Sequence, residues 1–205
     1  MWRRRFLSAG LLAAAATMVV AARTANYDGP PVAHTGGFGE PTCRACHKDE
    51  PLNDPGGSLR IEGLPQRYEP GRTYVFTVVL RRSGMGRAGF ELSTRVADGP
   101  EAGSQAGALE TSDARASVVP GPPPKAVQYA EQTREGCSVS GPETRWALRW
   151  RSPASAAEGA KDRGVEGGGR GDVLIHVAAN AANYDDSPLG DFIYVGEWRV
   201  RGPPP

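Results

Sequence analysis

The sequence predicts an all-β fold: an immunoglobulin-like antiparallel β-sandwich of about eight strands, with a short helical segment before the first strand. Three observations carry that expectation. Several short segments alternate apolar and polar side chains with period two, the pattern of a strand with one buried face. Glycine (27) and proline (18) are abundant whereas phenylalanine is scarce (5), which suits many turns between short strands better than a helical bundle. No helical periodicity extends beyond residues 42–48, because Pro51, Asp54, Pro55, Gly56 and Gly57 follow closely and stop a helix.

Residues 26–57 read as a polar, Gly/Pro-rich lead-in, with turns at 28–31 and 35–39. The first strand is expected at 58–62. Tyr68-Glu69-Pro70-Gly71 is a tight turn that sets the register of the clearest early strand, 73–81, where Tyr74, Phe76, Val78 and Leu80 share a face. A third strand at 89–96 places Phe90, Leu92, Thr94 and Val96 opposite Glu91, Ser93 and Arg95. Loops at 98–103 and 120–124 flank a weaker apolar segment, and 126–130 forms a short strand after the proline run. The sharpest alternation lies at 144–151, with Trp146, Leu148 and Trp150 on one face and Arg145, Arg149 and Arg151 on the other. Residues 152–171, rich in Ala, Gly and charge, are expected to be a flexible loop. Strands at 172–178 and 192–200 close a sandwich spanning 58–201.

The first residues follow a different logic. Arg3, Arg4 and Arg5 precede an apolar run from Phe6 to about Ala22, with small residues at Ala21, Ala22 and Ala25. This is the pattern of a secretory signal at 1–22, cleaved between about 22 and 25. The run, at about 16 residues, is shorter than the ~20 of a spanning helix. The protein is therefore expected in a bacterial periplasm or outside the cell, or tethered to the membrane if the signal is retained. The formal charge of +1 arises from 24 basic and 23 acidic residues without a basic stripe, so no nucleic-acid partner is expected.

The chemistry lies at Cys43, Cys46 and His47. Cysteines three apart can present both sulfurs on one side of a helical turn, within reach of the two vinyl groups along one edge of a porphyrin. The adjacent imidazole can then coordinate the iron, so one pentapeptide supplies both attachment and ligation. With three Cys and three His in the chain, the chance expectation for C-x-x-C-H is roughly 0.0006 occurrences. A thioredoxin-like pair would need a strand before it and a long helix after it, but Pro41 and Pro51 flank this one. Zinc would need a second pair of ligands, and the remaining Cys137, His34 and His176 lack metal-ligand spacing. One covalent haem c is expected.

For the sixth iron position the sequence favours Met85, in the loop Ser83-Gly84-Met85-Gly86 where glycines allow close approach. His34, nine residues before Cys43, is an alternative, and His176, within a strand, a weaker one. Cys137 reads as a lone loop thiol. Asp185-Asp186 reads as a solvated turn, so no calcium is expected. Arg145, Arg149 and Arg151 read as a solvated strand face.

Several segments together resemble one family. They are Gly36-Gly37-Phe38-Gly39, the pentapeptide from Cys43 to His47, Tyr68-Glu69-Pro70-Gly71 with Thr73-Tyr74, Gly89-Phe90-Glu91-Leu92, the tryptophan strand, the run from Val177 to Asn183, and Gly190-Asp191-Phe192-Ile193-Tyr194. This set resembles bacterial relatives of the Reelin N-terminal (Reeler) domain, grouped with anchor-type extracellular modules, over residues 36–201. The resemblance implies a secreted β-sandwich, with the haem pentapeptide ahead of the first strand in bacterial members. It implies no particular reaction. The functional expectation is an exported mono-haem c-type cytochrome that transfers electrons with a periplasmic or membrane-bound redox protein and is not itself a catalyst. The alternative is an extracellular binding or adhesion module with a structural haem.

Overall fold

Each alternating segment carries an apolar row that is removed from water only when it packs against another such row. The computed structural model describes residues 26–123, 126–154 and 171–204. The expected export signal and residues 155–170 of the expected flexible loop lie outside the described residues. Among the described residues nine strands form: β1 (Gly57–Glu62), β2 (Thr73–Arg82), β3 (Arg87–Val96), β4 (Ala108–Thr111), β5 (Ala116–Pro120), β6 (Gln128–Gln132), β7 (Glu143–Arg151), β8 (Val173–Ala182) and β9 (Phe192–Val200). The weak apolar segment supplies two short strands, β4 and β5, where only loops and an apolar stretch were expected. They build two antiparallel sheets in the orders β1-β2-β7-β4 and β5-β6-β3-β8-β9. The fold is the expected antiparallel β-sandwich.

The core lies between the sheets. β7 contributes Trp146, Leu148 and Trp150, each fully buried, while Arg145, Arg149 and Arg151 stay exposed, so the period-two pattern maps directly onto the two faces. Phe76, Val78 and Leu80 of β2 join the same cluster as Phe90 and Leu92 of β3 and Ile175, Val177 and Ala179 of β8. Contact across the sandwich is direct: the Phe90 and Trp146 rings lie 4.6 Å apart. Both indole N–H groups are satisfied inside the core, Trp146 donating to the Gly136 carbonyl at 3.0 Å and Trp150 to that of Ala106 at 2.9 Å.

The middle of the second sheet, β3 and β8, is buried on both faces, and this is what positions the site. On β3 the expected polar row Glu91, Ser93 and Arg95 is as buried as the apolar one. The lead-in lies over it. Ala33 and His34 donate their backbone N–H groups to the Glu91 carboxylate. Glu40 pairs with Arg95 and accepts hydrogen bonds from Thr35 and Tyr129. Burial alone would raise the Glu40 carboxyl, but the bonds from Arg95, Thr35 and Tyr129 outweigh it and hold the group below the usual range. Gly37 sits so close to the sheet that a Cβ there would lie 2.4 Å from the His176 ring, so no larger residue fits without displacement.

Beyond the pentapeptide the chain runs along the β9 edge. Gly190 donates its N–H to Asp49 at 2.6 Å, Asn53 donates to the Ile193 carbonyl at 2.9 Å, and Arg82 bridges Asp54 and the Tyr194 hydroxyl at 2.6 and 2.7 Å. These bonds fix the chain that follows the pentapeptide turn against the sandwich.

Candidate functional site

Thr42 caps a single 3-10 turn, Cys43–Ala45, its hydroxyl accepting the Arg44 N–H at 3.2 Å. The N–H of His47 returns to the Cys43 carbonyl at 3.1 Å, so Cys43, Cys46 and His47 leave the backbone within one turn. The expected helical segment is present as that turn and nothing longer. All three side chains line one partly open cavity of about 250 Å³. Its floor comes from the β3 segment Arg87 to Phe90 and from Asn180 and Ala182 of β8, and its walls from the lead-in and the loop before β9.

Both motif cysteines are free, Cys43 half-buried and Cys46 exposed. Burial pushes the Cys43 thiol up to about 12, with the nearby Glu91 carboxyl adding to the shift. A redox-active dithiol needs its nucleophilic sulfur lowered toward neutrality instead. The environment therefore keeps Cys43 a neutral thiol.

The imidazole of His47 is held from behind. Its Nδ1 lies 2.7 Å from Oδ2 of Asp191, which is 2% exposed. Asp191 is itself fixed: its Oδ1 accepts the Asn183 N–H at 3.1 Å, and Asn180 approaches Oδ2 at 3.4 Å. The other ring nitrogen, Nε2, lies 3.4 Å from Asn180 Nδ2, an atom that also lies 3.5 Å from Nδ1. Asp191 was not singled out from the sequence. It sits just before β9 in a Gly-Asp step that reads as an ordinary turn, and its burial arises only when β9 pairs with β8.

His34 shares the cavity. The chain turns through Ala33 at φ 67°, and His34 Nδ1 lies 3.1 Å from the Val32 carbonyl, which leaves Nε2 as its uncommitted nitrogen. Met85, the residue favoured for the sixth position, does not line the cavity. Gly86 donates its N–H to the Ala182 carbonyl at 2.8 Å and folds the β2–β3 loop over the end of β8. Met85 is 8% exposed and belongs to the hydrophobic cluster between the sheets. His176 is also placed elsewhere: it is buried on the outer face of β8, 2.9 Å from Glu197 and edge-on to Phe38 at 5.3 Å. Burial lowers its affinity for a proton, opposed by Glu197.

Three residues set aside in the sequence lie at the cavity: Cys137, whose Sγ donates to the Arg134 carbonyl at 3.1 Å, and Asp185 and Asp186 at the rim. Asp186 accepts the Tyr27 hydroxyl at 3.1 Å, which ties the start of the lead-in to the loop before β9. The strand face of Arg145 and Arg149 is neutralised by neighbours, Arg145 meeting Glu62 and Glu143 at 2.8 and 2.9 Å and Arg149 meeting Glu110 at 3.6 Å. Arg151, on the same face, is exposed.

Among the described residues no group of three or more His, Cys, Asp or Glu side chains is arranged to hold a metal ion. The donor set here is two thiols and an imidazole anchored through Nδ1. It suits a porphyrin, which brings four nitrogens to its own iron and asks the protein for one or two more. The cavity, about 250 Å³, is smaller than the ~300–1,000 Å³ of most ligand sites.

No family model matches the sequence, and no curated protein matches it. Among solved structures, the Reelin-N domain of F-spondin is 17% identical, with a TM-score of 0.45, over 79% of this chain and 96% of that one. The human F-spondin reeler domain is 18% identical, with a TM-score of 0.41, over 71% and 89%. A type II cohesin domain from the cellulosome of Acetivibrio cellulolyticus is 8% identical, with a TM-score of 0.35, over 71% and 95%. With every TM-score below 0.5, the fold rests on the two sheets themselves, an antiparallel β-sandwich.

Proposed function

We propose that the protein is an exported electron carrier with one haem c, attached through Cys43 and Cys46 and ligated by His47, that serves a periplasmic or membrane-bound redox partner. The observation that carries this reading is the gathering of Cys43, Cys46, His47 and His34 at one cavity, with a buried carboxylate behind the His47 ring. When bound, the haem supplies one-electron cycling of its iron. The chain does the rest. The Thr42-capped turn brings both thiols to the cavity, Asp191 holds the His47 ring, and Gly89, Phe90 and Ala182 line the cavity beside them. His34 replaces Met85 as the residue proposed for the sixth position, because it lines the cavity and Met85 does not.

The alternative, a structural haem that staples the lead-in to an adhesion module, is the weaker reading. The lead-in is already held by the buried Glu40–Arg95 pair, by Tyr129 and by Glu91, so no staple is needed there.

The test is expression of the full chain in a bacterium carrying the haem c attachment machinery, followed by mass measurement and reduced-minus-oxidised spectra. One covalent haem per chain, lost in the Cys43→Ser/Cys46→Ser double variant and reversibly reduced, is the expected outcome. A soluble wild-type protein without covalent haem would refute the proposal.

A further inference from the structure

We infer that Asp191 is the positioning residue of the candidate haem site: it selects the Nδ1-protonated tautomer of His47, leaves Nε2 as the ligating nitrogen, and lowers the reduction potential of the bound iron. The potential part of this inference rests on the proposed haem, whereas the tautomer part does not.

The geometry is specific. The Nδ1 to Oδ2 distance of 2.7 Å is that of a charge-assisted hydrogen bond, and a carboxylate oxygen only accepts. Nδ1 must therefore carry the hydrogen. The carboxylate cannot swing away, because its other oxygen accepts the Asn183 N–H at 3.1 Å and the residue is 2% exposed, enclosed where β9 begins beside β8. Gly190, just before it, is at φ 75° and donates its own N–H to Asp49 two residues past His47. One short loop thus fixes the Asp191 carboxylate and the chain that follows the histidine together.

A partner of this kind makes an imidazole a stronger electron donor to a metal at the opposite nitrogen. Stronger donation favours the ferric over the ferrous state, which lowers the potential. The residue touches His47 and not the iron, so its effect passes through the ring.

Two measurements test this. In haem-free, 15N-histidine-labelled wild-type protein, the ring nitrogen shifts of His47 are expected to report hydrogen on Nδ1. A hydrogen on Nε2 with none on Nδ1 overturns the inference whatever becomes of the haem proposal. In haem-loaded protein, Asp191→Asn preserves the shape and an oxygen for the Asn183 N–H but removes the negative charge. Its ferrous-to-ferric ratio at a fixed solution potential is expected to rise at least tenfold, equivalent to 59 mV for one electron, with covalent attachment intact. An unchanged potential in a variant that retains haem overturns the inference while leaving the electron-carrier proposal standing. Should the variant fail to fold, the tautomer measurement on the wild type still decides.

Discussion

The choice between Met85 and His34 as sixth ligand separates a consequence of packing from a consequence of ligation. Met85 lies in the core cluster at 8% exposure. Truncating a buried Met to Ala removes its transfer free energy and leaves a cavity, together about 2–5 kcal/mol. Met85 sits at the loop end of the core, unlike the fully buried Trp146, so the lower half of that range applies, about 2–3 kcal/mol. For a chain of this size each kcal/mol moves the unfolding midpoint by about 2–4 °C, and Met85→Ala should lower it by about 4–12 °C. The visible spectrum of the haem-loaded variant should match the wild type. His34 is half-buried on the lead-in, and His34→Ala should cost less than about 1 kcal/mol while converting a low-spin, six-coordinate spectrum to a high-spin one that binds carbon monoxide. Thermal denaturation and ferric and ferrous spectra of both variants are the assay. A high-spin Met85→Ala protein with an unchanged midpoint would refute the placement of Met85 in the core and restore it as the ligand.

Other expectations follow from single contacts. Glu131 is 5% exposed with one carboxylate oxygen unpartnered, and burial pushes its carboxyl up to about 7. A raised carboxyl stabilises the fold fully below its unfolded value, near 4.5, and that contribution is lost as pH rises toward 7. Glu131→Gln should therefore be more stable than the wild type at pH 8, by about 1–3 kcal/mol, with the difference vanishing near pH 4.5; chemical denaturation across pH checks it, and an equal difference at both ends refutes it. Glu40→Gln leaves Arg95, 4% exposed, without its carboxylate, which should cost about 3–5 kcal/mol and accelerate amide exchange at Ala33 and His34 before β7 exchanges. Cys137→Ala should retain one haem through two thioethers, read by mass. Loss of attachment there would make the third cavity thiol a participant.

The β-sandwich was legible because its signal is local. The period-two row of Trp146, Leu148 and Trp150 needs only nearest-neighbour sterics to show which face is buried, and the turn Tyr68-Glu69-Pro70-Gly71 announces where a strand begins. β4 and β5 escaped clear assignment because they are short and derive their burial from β7 and β6 rather than from a strong pattern of their own. The row Glu91, Ser93 and Arg95 is polar and yet buried, and nothing local in a polar row reveals that a distant segment will cover it.

The same division holds at the site. Spacing alone determined Cys43, Cys46 and His47 as one chemical unit, because residues within a single turn stay together in any fold that keeps the turn. Everything that meets this unit from outside was decided by the tertiary structure: His34 brought in by the docking of the lead-in on Glu91, Met85 drawn away into the core, and Asp191, 144 positions beyond His47, set behind its ring where β9 enters beside β8. Contacts across such separations depend on strand pairing and on which faces are covered, and neither is encoded in the residues immediately around them.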